Sequence, residues 1–94
     1  MSQFFVYMMA SKKNGVIYIG MTNDLKRRVR SHKGGYGSSF AEKYYVKRIV
    51  YFEKMSSRAS AIMREKQMKK WNRDWKIKLI KQSNPMWLDL YEKI

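Results

Sequence analysis

The fold of this chain is decided by Phe5-Val-Tyr-Met-Met9, by Val16-Ile-Tyr-Ile-Gly-Met-Thr22 and by the segment between them. Both runs are rich in β-branched and aromatic residues, which favour strands. The intervening Ser11-Lys-Lys-Asn-Gly15 ends in Asn-Gly, the strongest short-range mark of a hairpin turn. The sequence therefore predicts a β-hairpin with two antiparallel strands.

The positions of two tyrosines give this hairpin a possible function. Directly opposed residues of an antiparallel pair point to the same face, and the faces alternate along each strand. Each of the three even loops that Lys12–Gly15 allows places Tyr7, Tyr18 and Gly20 on one face, unless a bulge interrupts the pairing. We therefore predict two phenols beside a glycine, where a polar group could approach the backbone.

Composition indicates one small globular domain over residues 1–94. The hydrophobic fraction is 45%, which supports a packed core rather than disorder. The chain has no cysteine and one histidine, which excludes disulfides, thiol nucleophiles and zinc sites built from cysteine or several histidines. Any metal would use oxygen ligands, which favours magnesium or manganese. We see no apolar run of membrane-spanning length and no signal peptide, so a cytoplasmic protein is expected.

Charge is the strongest compositional signal. Lysine and arginine number 21 and aspartate and glutamate 7, which gives a net charge of +14. A small domain this basic is expected to bind a polyanion, with nucleic acid as the leading partner. An anionic membrane surface and simple solubility are the alternatives.

The segment after the hairpin predicts a helix from about Thr22 to His32. Thr22 or Asn23 can cap it, with Asp24 in its first turn. One face at helical spacing contains Leu25, Arg28, Val29 and His32. Arg28 and His32 are thereby placed near the sheet. The alternative is that Arg28 only extends to solvent and His32 is a favourable C-terminal cation.

A second strong helix is predicted from a Ser56 or Ser57 cap to about Trp71. Glu65 lies on its apolar side, whereas its exposed face is predicted to carry Arg58, Arg64, Lys66 and Lys70. A carboxylate in that position must pair or bind a cation. A salt bridge with Arg28 or a lysine is the structural alternative to a metal site.

The remaining elements are predicted with less detail: a strand over Val46–Phe52, a helical turn over Phe40–Tyr45, and helices over Asn72–Ile80 and Met86–Tyr91. Trp75 and Leu79 are expected in the core, with Trp71 as a further candidate.

Asn84 precedes Pro85, which favours extended backbone at Asn84. Its side-chain amide is then expected to be free for a ligand. A turn that merely stops the preceding helix explains the same residues.

Together these residues resemble the GIY-YIG nuclease family, and in particular its small stand-alone bacterial members, which resemble the N-terminal nuclease domain of the excision-repair endonuclease. Tyr18-Ile-Gly20 retains the second half of the name motif, and of the first half Tyr7 remains. The resemblance spans nearly the whole chain through Asp24-Leu25, Arg28-Val29 with His32, Arg64-Glu65, Asn84-Pro85, Trp87 and Asp89-Leu90.

The resemblance implies an α+β fold, with a three-stranded antiparallel sheet flanked by helices in the order β-β-α-β-α-α. It also implies phosphodiester hydrolysis with one divalent ion, Mg²⁺ or Mn²⁺. The catalytic residues implied are Tyr7, Tyr18, Arg28, His32, Glu65 and Asn84, with Glu65 as the metal ligand. A cation is expected to lower the pKa of whichever tyrosine activates water. Residues expected to contact nucleic acid are Gly20, Lys26, Arg27, Arg30, Lys33 and Lys69.

Three functions remain open from the sequence. The first is a DNA endonuclease of low sequence specificity, active in repair or recombination as a monomer, with a protein partner that supplies specificity. The second is a non-catalytic nucleic-acid-binding module with the same fold. The third is an RNA-associated or ribosome-associated protein, which rests on charge and exposed aromatic residues alone.

Overall fold

The computed structural model describes residues 3–36 and 38–94. Strand β1 spans Phe4–Ala10 and strand β2 spans Ile17–Thr22, and they pair antiparallel as predicted. The hairpin closes where the Ser11 N–H donates to Val16 O at 3.1 Å and the Gly15 N–H donates to Lys12 O at 2.9 Å. The loop is therefore the four-residue one.

Strand β3, Arg48–Met55, completes a three-stranded sheet in the order β2-β1-β3, with all pairs antiparallel. The register between β1 and β3 shifts between Met8 and Met9. The β1–β2 register runs without interruption. The irregularity that would have spoiled the prediction for the tyrosines thus lies on the other side of β1.

Helix α1 spans Leu25–Lys33, and its cap is Asp24 rather than the predicted Thr22 or Asn23, so Asp24 precedes the first turn. Its carboxylate accepts a hydrogen bond from the Arg27 N–H at 3.2 Å. Leu25, Val29 and His32 are buried, which confirms the predicted buried face. A short helix α2, Ser39–Lys43, follows where a helical turn was predicted.

Helix α3 spans Arg58–Lys70 with Ser57 as its cap, and helix α4 spans Arg73–Ser83 with Asn72 as its cap. Both caps accept a hydrogen bond from a backbone N–H three residues on, which satisfies a donor that the first turn leaves free. The expectation that Trp75 is a core residue is wrong, since it is 58% exposed. The buried residue of α4 is Ile80.

The predicted closing helix over Met86–Tyr91 is absent from the described structure, which has only a 3-10 turn at Tyr91–Lys93. Side chains take over the backbone groups that a helix would need. Asn84 bonds both the N–H and the C=O of Leu88, and Asp89 accepts from the Tyr91 N–H. Such local bonds compete with helix formation.

Two apolar clusters cover the two faces of the sheet. The first packs α1 and α2 on the face that carries Tyr7, Met9 and Ile49, and Val46 joins this cluster from the segment before β3. The second packs α3 and α4 on the face that carries Val6, Met8, Ile19 and Val50. The α+β class and the predicted order of strands and helices are confirmed. Within residues 3–36 and 38–94, no helix is both long and apolar enough to cross a membrane.

Candidate active site

Tyr7 lies at the centre of the candidate site. It faces Gly20 directly across the β1–β2 pair, and its side chain is fully buried. A Cβ atom at Gly20 would lie 2.6 Å from Tyr7 Oη and 3.1 Å from Tyr18 Cε1. The space above the glycine is therefore occupied by the phenol of Tyr7, and the absence of a side chain at position 20 serves the tyrosine rather than an approaching ligand.

Helix α1 brings two side chains to the hydroxyl of Tyr7. Arg28 Nε donates to Tyr7 Oη at 3.3 Å, and His32 Nε2 lies 2.9 Å from the same oxygen. The helical spacing that singled out Arg28 and His32 thus places both on one phenol. His32 Nδ1 is buried and has no hydrogen-bond partner among the described residues. Within that part of the chain, the contact of Nε2 with Tyr7 Oη is therefore the hydrogen bond that orients the imidazole ring.

Burial controls protonation at this cluster. Desolvation raises the pKa of Tyr7 to about 12, and outweighs the nearby Arg28, which lowers it. Desolvation and the Arg28 charge lower the pKa of His32 to about 4. Arg28 therefore acts in the expected direction, but loss of hydration outweighs it, so Tyr7 lacks the lowered pKa expected of a tyrosine that activates water. At neutral pH, Tyr7 keeps its proton and His32 is neutral.

Arg28 differs from its two partners because it is reachable from solvent. It is half-buried and lines an open polar cleft of about 280 Å³ with Thr22, Asn23, Asp24, Arg27 and Ser31. No carboxylate in the described part of the chain lies within 4.0 Å of it. Its Tyr7 hydrogen bond orients the guanidinium without neutralising it, so the charge is available to an anion in the cleft.

Tyr18 lies beside this cluster. It is half-buried, and its ring centroid is 5.0 Å from that of His32 and 6.3 Å from that of Tyr7. As predicted, both tyrosines lie on one face of the hairpin. Tyr18 is the more exposed of the two, so its hydroxyl is better placed to meet a ligand.

Glu65 projects from helix α3, and its side chain is only 20% exposed. Helix α3 packs on the opposite face of the sheet from Tyr7, and the Glu65 charge is the smallest of the causes that raise the Tyr7 pKa. Lys69 Nζ lies 3.6 Å from Glu65 Oε2, one helical turn away. The lysine salt bridge considered from the sequence is therefore present.

A single carboxylate limits which metal could bind. Across residues 3–36 and 38–94, no three His, Cys, Asp or Glu side chains form a cluster. Glu65 therefore fits an ion such as Mg²⁺, which retains several waters and completes its shell with substrate phosphates, and does not fit a metal enclosed by protein ligands.

Asn84 is not part of this constellation. It is buried with its amide nitrogen donating to Val50 O at 3.1 Å and Leu88 O at 2.8 Å, while its amide oxygen accepts from the Leu88 N–H. The expectation of a free amide is wrong. Asn84 joins the end of α4 to β3, so its contacts are structural.

The predicted basic contacts divide into two groups. Lys26 donates to Ile94 O at 3.1 Å, and Lys33 forms an ion pair with Asp89, so both tie α1 to the C-terminal segment. Arg27, Arg30 and Lys69 are exposed. Of these, Arg27 lines the Arg28 cleft.

A second polar cluster was missed. Arg64 was expected on the exposed face of α3, but it donates to both carboxylate oxygens of Glu53 at 2.9 and 2.8 Å, and Tyr51 donates to the same carboxylate. Its guanidinium also lies 5.1 Å from the Trp71 ring centroid. The signal was its spacing from Ala61 and Met68, which are buried at offsets of three and four.

Comparison with known proteins gives a consistent result. Residues 3–78 match the GIY-YIG catalytic domain family. A UPF0213 protein of Clostridium perfringens is 33% identical over 95% of this chain and 94% of its own length. A UPF0213 protein of Staphylococcus haemolyticus is 30% identical over 87% and 99%. The solution structure of a UPF0213 protein from Bacillus halodurans superposes with a TM-score of 0.54 at 27% identity, over 87% of this chain and 86% of that one.

Proposed function

Because this chain belongs to the GIY-YIG family of nuclease domains, we propose that it is a metal-dependent endonuclease that hydrolyses phosphodiester bonds in DNA with low sequence specificity. The observation that carries the proposal is Arg28. A guanidinium is oriented by a buried phenol, is not neutralised by any described carboxylate, and faces a polar cleft.

Arg28 has the role of binding the scissile phosphate. A guanidinium can donate to two phosphate oxygens and stabilise the charge that develops as the attacking oxygen adds. Tyr7 accepts from Arg28 Nε, and the remaining donors of the guanidinium, which Tyr18 also approaches, serve the phosphate. This preorganisation favours the transition state because the donor does not have to reorient during reaction.

The two tyrosines take different roles. Tyr7 has a pKa of about 12, so it is protonated at neutral pH and acts as a positioning residue. His32 is neutral and supports Tyr7 through Nε2. Tyr18, half-buried beside them, orients the attacking water.

Glu65 is the residue that would hold the divalent ion. Bound there, the ion supplies Lewis-acid polarisation of a phosphate oxygen and stabilises the leaving group. Binding requires Lys69 to release Glu65, and the long, half-exposed side chain of Lys69 allows this.

The test is the variant Glu65→Gln, with Glu92→Gln, an exposed acid in the C-terminal 3-10 turn, as its matched control. We expect Glu65→Gln to lose Mg²⁺-dependent cleavage, to melt close to the wild-type temperature, and to bind DNA equally or more tightly because one charge near the phosphate is removed. Glu92→Gln should cleave normally. Assays should cover single-stranded, duplex and branched DNA and RNA, since the substrate and a role in repair or recombination are part of the proposal.

The alternative is a nucleic-acid-binding module without catalysis, and the ion pair between Lys69 and Glu65 favours it. In that case the wild-type protein binds nucleic acid but cleaves none of these substrates with Mg²⁺ or Mn²⁺. Full cleavage by Glu65→Gln would instead remove Glu65 from the mechanism.

A further inference from the structure

A row of aromatic rings leads from the candidate site to the surface of helix α2. The Tyr18 ring centroid lies 5.0 Å from that of His32 and 6.2 Å from that of Phe40. Phe40 and Tyr44 are one helical turn apart, with centroids 4.9 Å apart. The row thus begins beside the phenol that holds Arg28 and ends on the outside of the molecule.

The outer two rings are solvent-exposed. Phe40 is 44% exposed and Tyr44 is 42% exposed. Helix α2 is anchored to the core through Ala41, which is its buried residue, so the protein covers only part of the Phe40 and Tyr44 rings. The two rings pack against each other at an interplanar angle of 49°, and each keeps flat aromatic surface exposed where a ligand can contact it.

Positive charge accompanies these rings. Lys43 Nζ lies 5.5 Å from the Tyr44 ring centroid, and Lys47 Nζ lies 6.0 Å from the ring centroid of the neighbouring Tyr45. Aromatic rings interleaved with cations match a ligand that presents flat bases and phosphates together. A purely apolar protein partner would gain nothing from the lysines.

We propose that Phe40 and Tyr44 form a stacking platform for an unpaired base of a single-stranded nucleic acid, next to the phosphate bound at Arg28. The inference rests on the proposed function for its placement of that phosphate. Bases in a duplex are already stacked and cannot lie on protein rings, so the platform selects a strand that is single-stranded or locally opened at this position.

The test combines protein variants with base removal. Affinity is measured by fluorescence anisotropy in EDTA, so that binding is read without cleavage. The probes are an oligodeoxythymidine strand and a strand of equal length whose sugars lack bases. Phe40→Ala with Tyr44→Ala should weaken binding of the first strand about tenfold. The abasic strand should bind wild type and variant equally, because it has nothing to stack.

Two controls isolate stacking. Tyr44→Phe keeps the ring and should retain affinity. Trp75→Ala removes an exposed aromatic ring from α4, on the opposite face of the sheet, and should leave binding unchanged. Melting temperatures confirm that each variant folds.

Three results would overturn the proposal: equal loss for both strands, loss of affinity for duplex alone, or a change of oligomeric state in the double variant, which would make the rings a contact between copies of this chain. The proposed function fails separately, if the wild-type protein shows no metal-dependent cleavage while the base-dependent loss of binding remains.

Discussion

Each face of the sheet carries an arginine that meets a tyrosine-containing cluster, yet the two arginines are in opposite situations. Arg28 on α1 donates to the Tyr7 hydroxyl and has no carboxylate partner among the described residues. Arg64 on α3 donates to both oxygens of Glu53, and also to Gln67 Oε1 at 3.1 Å.

The difference separates a binding charge from a structural one. Arg64 and Glu53 neutralise each other in a bidentate ion pair, which connects α3 to β3. The hydrogen bond from Arg28 to Tyr7 orients the guanidinium but does not neutralise its positive charge. Sequence alone shows two arginines on two helices, whereas the partner of each decides which one can receive a phosphate.

The largest effect should come from Arg28→Ala. We expect cleavage to fall by about a hundred- to a thousandfold, which corresponds to losing one preorganised electrostatic contact to the transition state. The melting temperature should change little, because no charged partner is left unpaired. Single-turnover cleavage and thermal unfolding measure the two quantities.

Arg28→Lys sharpens this prediction. It retains the charge but loses the planar fork, so it should recover phosphate binding without recovering most of the rate. Wild-type cleavage by Arg28→Ala would end the assignment of Arg28 as the phosphate-binding residue.

The next effect should come from Arg64→Ala, which leaves Glu53 largely buried and unpaired. We expect a loss of about 3 kcal/mol in the free energy of unfolding, or a melting temperature lower by more than about 10 °C. Cleavage by the remaining folded protein should persist. The double variant Glu53→Leu with Arg64→Met should lose less than Arg64→Ala, since no buried charge is left over. A stable Arg64→Ala protein would contradict the structural role.

The two clusters should also respond to pH in different ranges. His32 has a folded pKa of about 4, below its ordinary value of 6.5, so between these values the unfolded chain binds a proton that the folded chain does not. Stability should therefore fall as the pH drops from 6.5 towards 4, by up to about 1.4 kcal/mol per unit. Burial raises the pKa of Glu53, but the hydrogen bonds from Arg64 and Tyr51 together outweigh it and hold the pKa below its ordinary 4.5, so the stabilising contribution of Glu53 is lost only at lower pH.

Urea unfolding as a function of pH separates these ranges. His32→Phe should flatten the dependence above about pH 4.5 while leaving the acid limb, and Glu53→Gln should do the reverse. An unchanged slope in His32→Phe would show that the ring does not remain neutral in the folded state.

The smallest effect should come from removing one hydroxyl on each face. Tyr51→Phe leaves Glu53 with both Arg64 bonds and should cost about 1 kcal/mol at most. Tyr7→Phe leaves His32 without a partner and Arg28 unoriented, so it should cost slightly more stability and also reduce cleavage. Equal cleavage by the two variants would contradict the assignment of the Tyr7 cluster to phosphate binding and the Tyr51 cluster to stability.

The parts that could be predicted from sequence depend on local periodicity. The even number of residues in the hairpin loop placed Tyr7, Tyr18 and Gly20 on one face of the sheet. The 3.6-residue period of the helix placed Arg28 and His32 towards the sheet. These inferences rest on the two-residue alternation of a strand and the 3.6-residue repeat of a helix, whereas the three-stranded sheet was implied by the family resemblance.

The parts that could not be predicted depend on contacts distant in sequence or on burial. Helical spacing puts both Arg64 and Glu65 beside the Ala61–Met68 stripe, but it does not show that Glu53 on β3 lies within ion-pairing distance of Arg64. The burial of Tyr7, which sets its pKa, follows from the packing of α1 against the sheet.

Because Tyr7 lies against Gly20, a substitution at one of these positions constrains which residue the other can hold. A side chain at position 20 would collide with Tyr7 Oη at 2.6 Å and Cζ at 2.7 Å, so losing the hydroxyl alone does not make room. A larger side chain at position 20 requires the Tyr7 ring to shrink or to move, and either change disturbs the phenol that orients Arg28. Descendants that still use the site are confined to the tyrosine and glycine together, whereas descendants that have abandoned it are released at both positions at once.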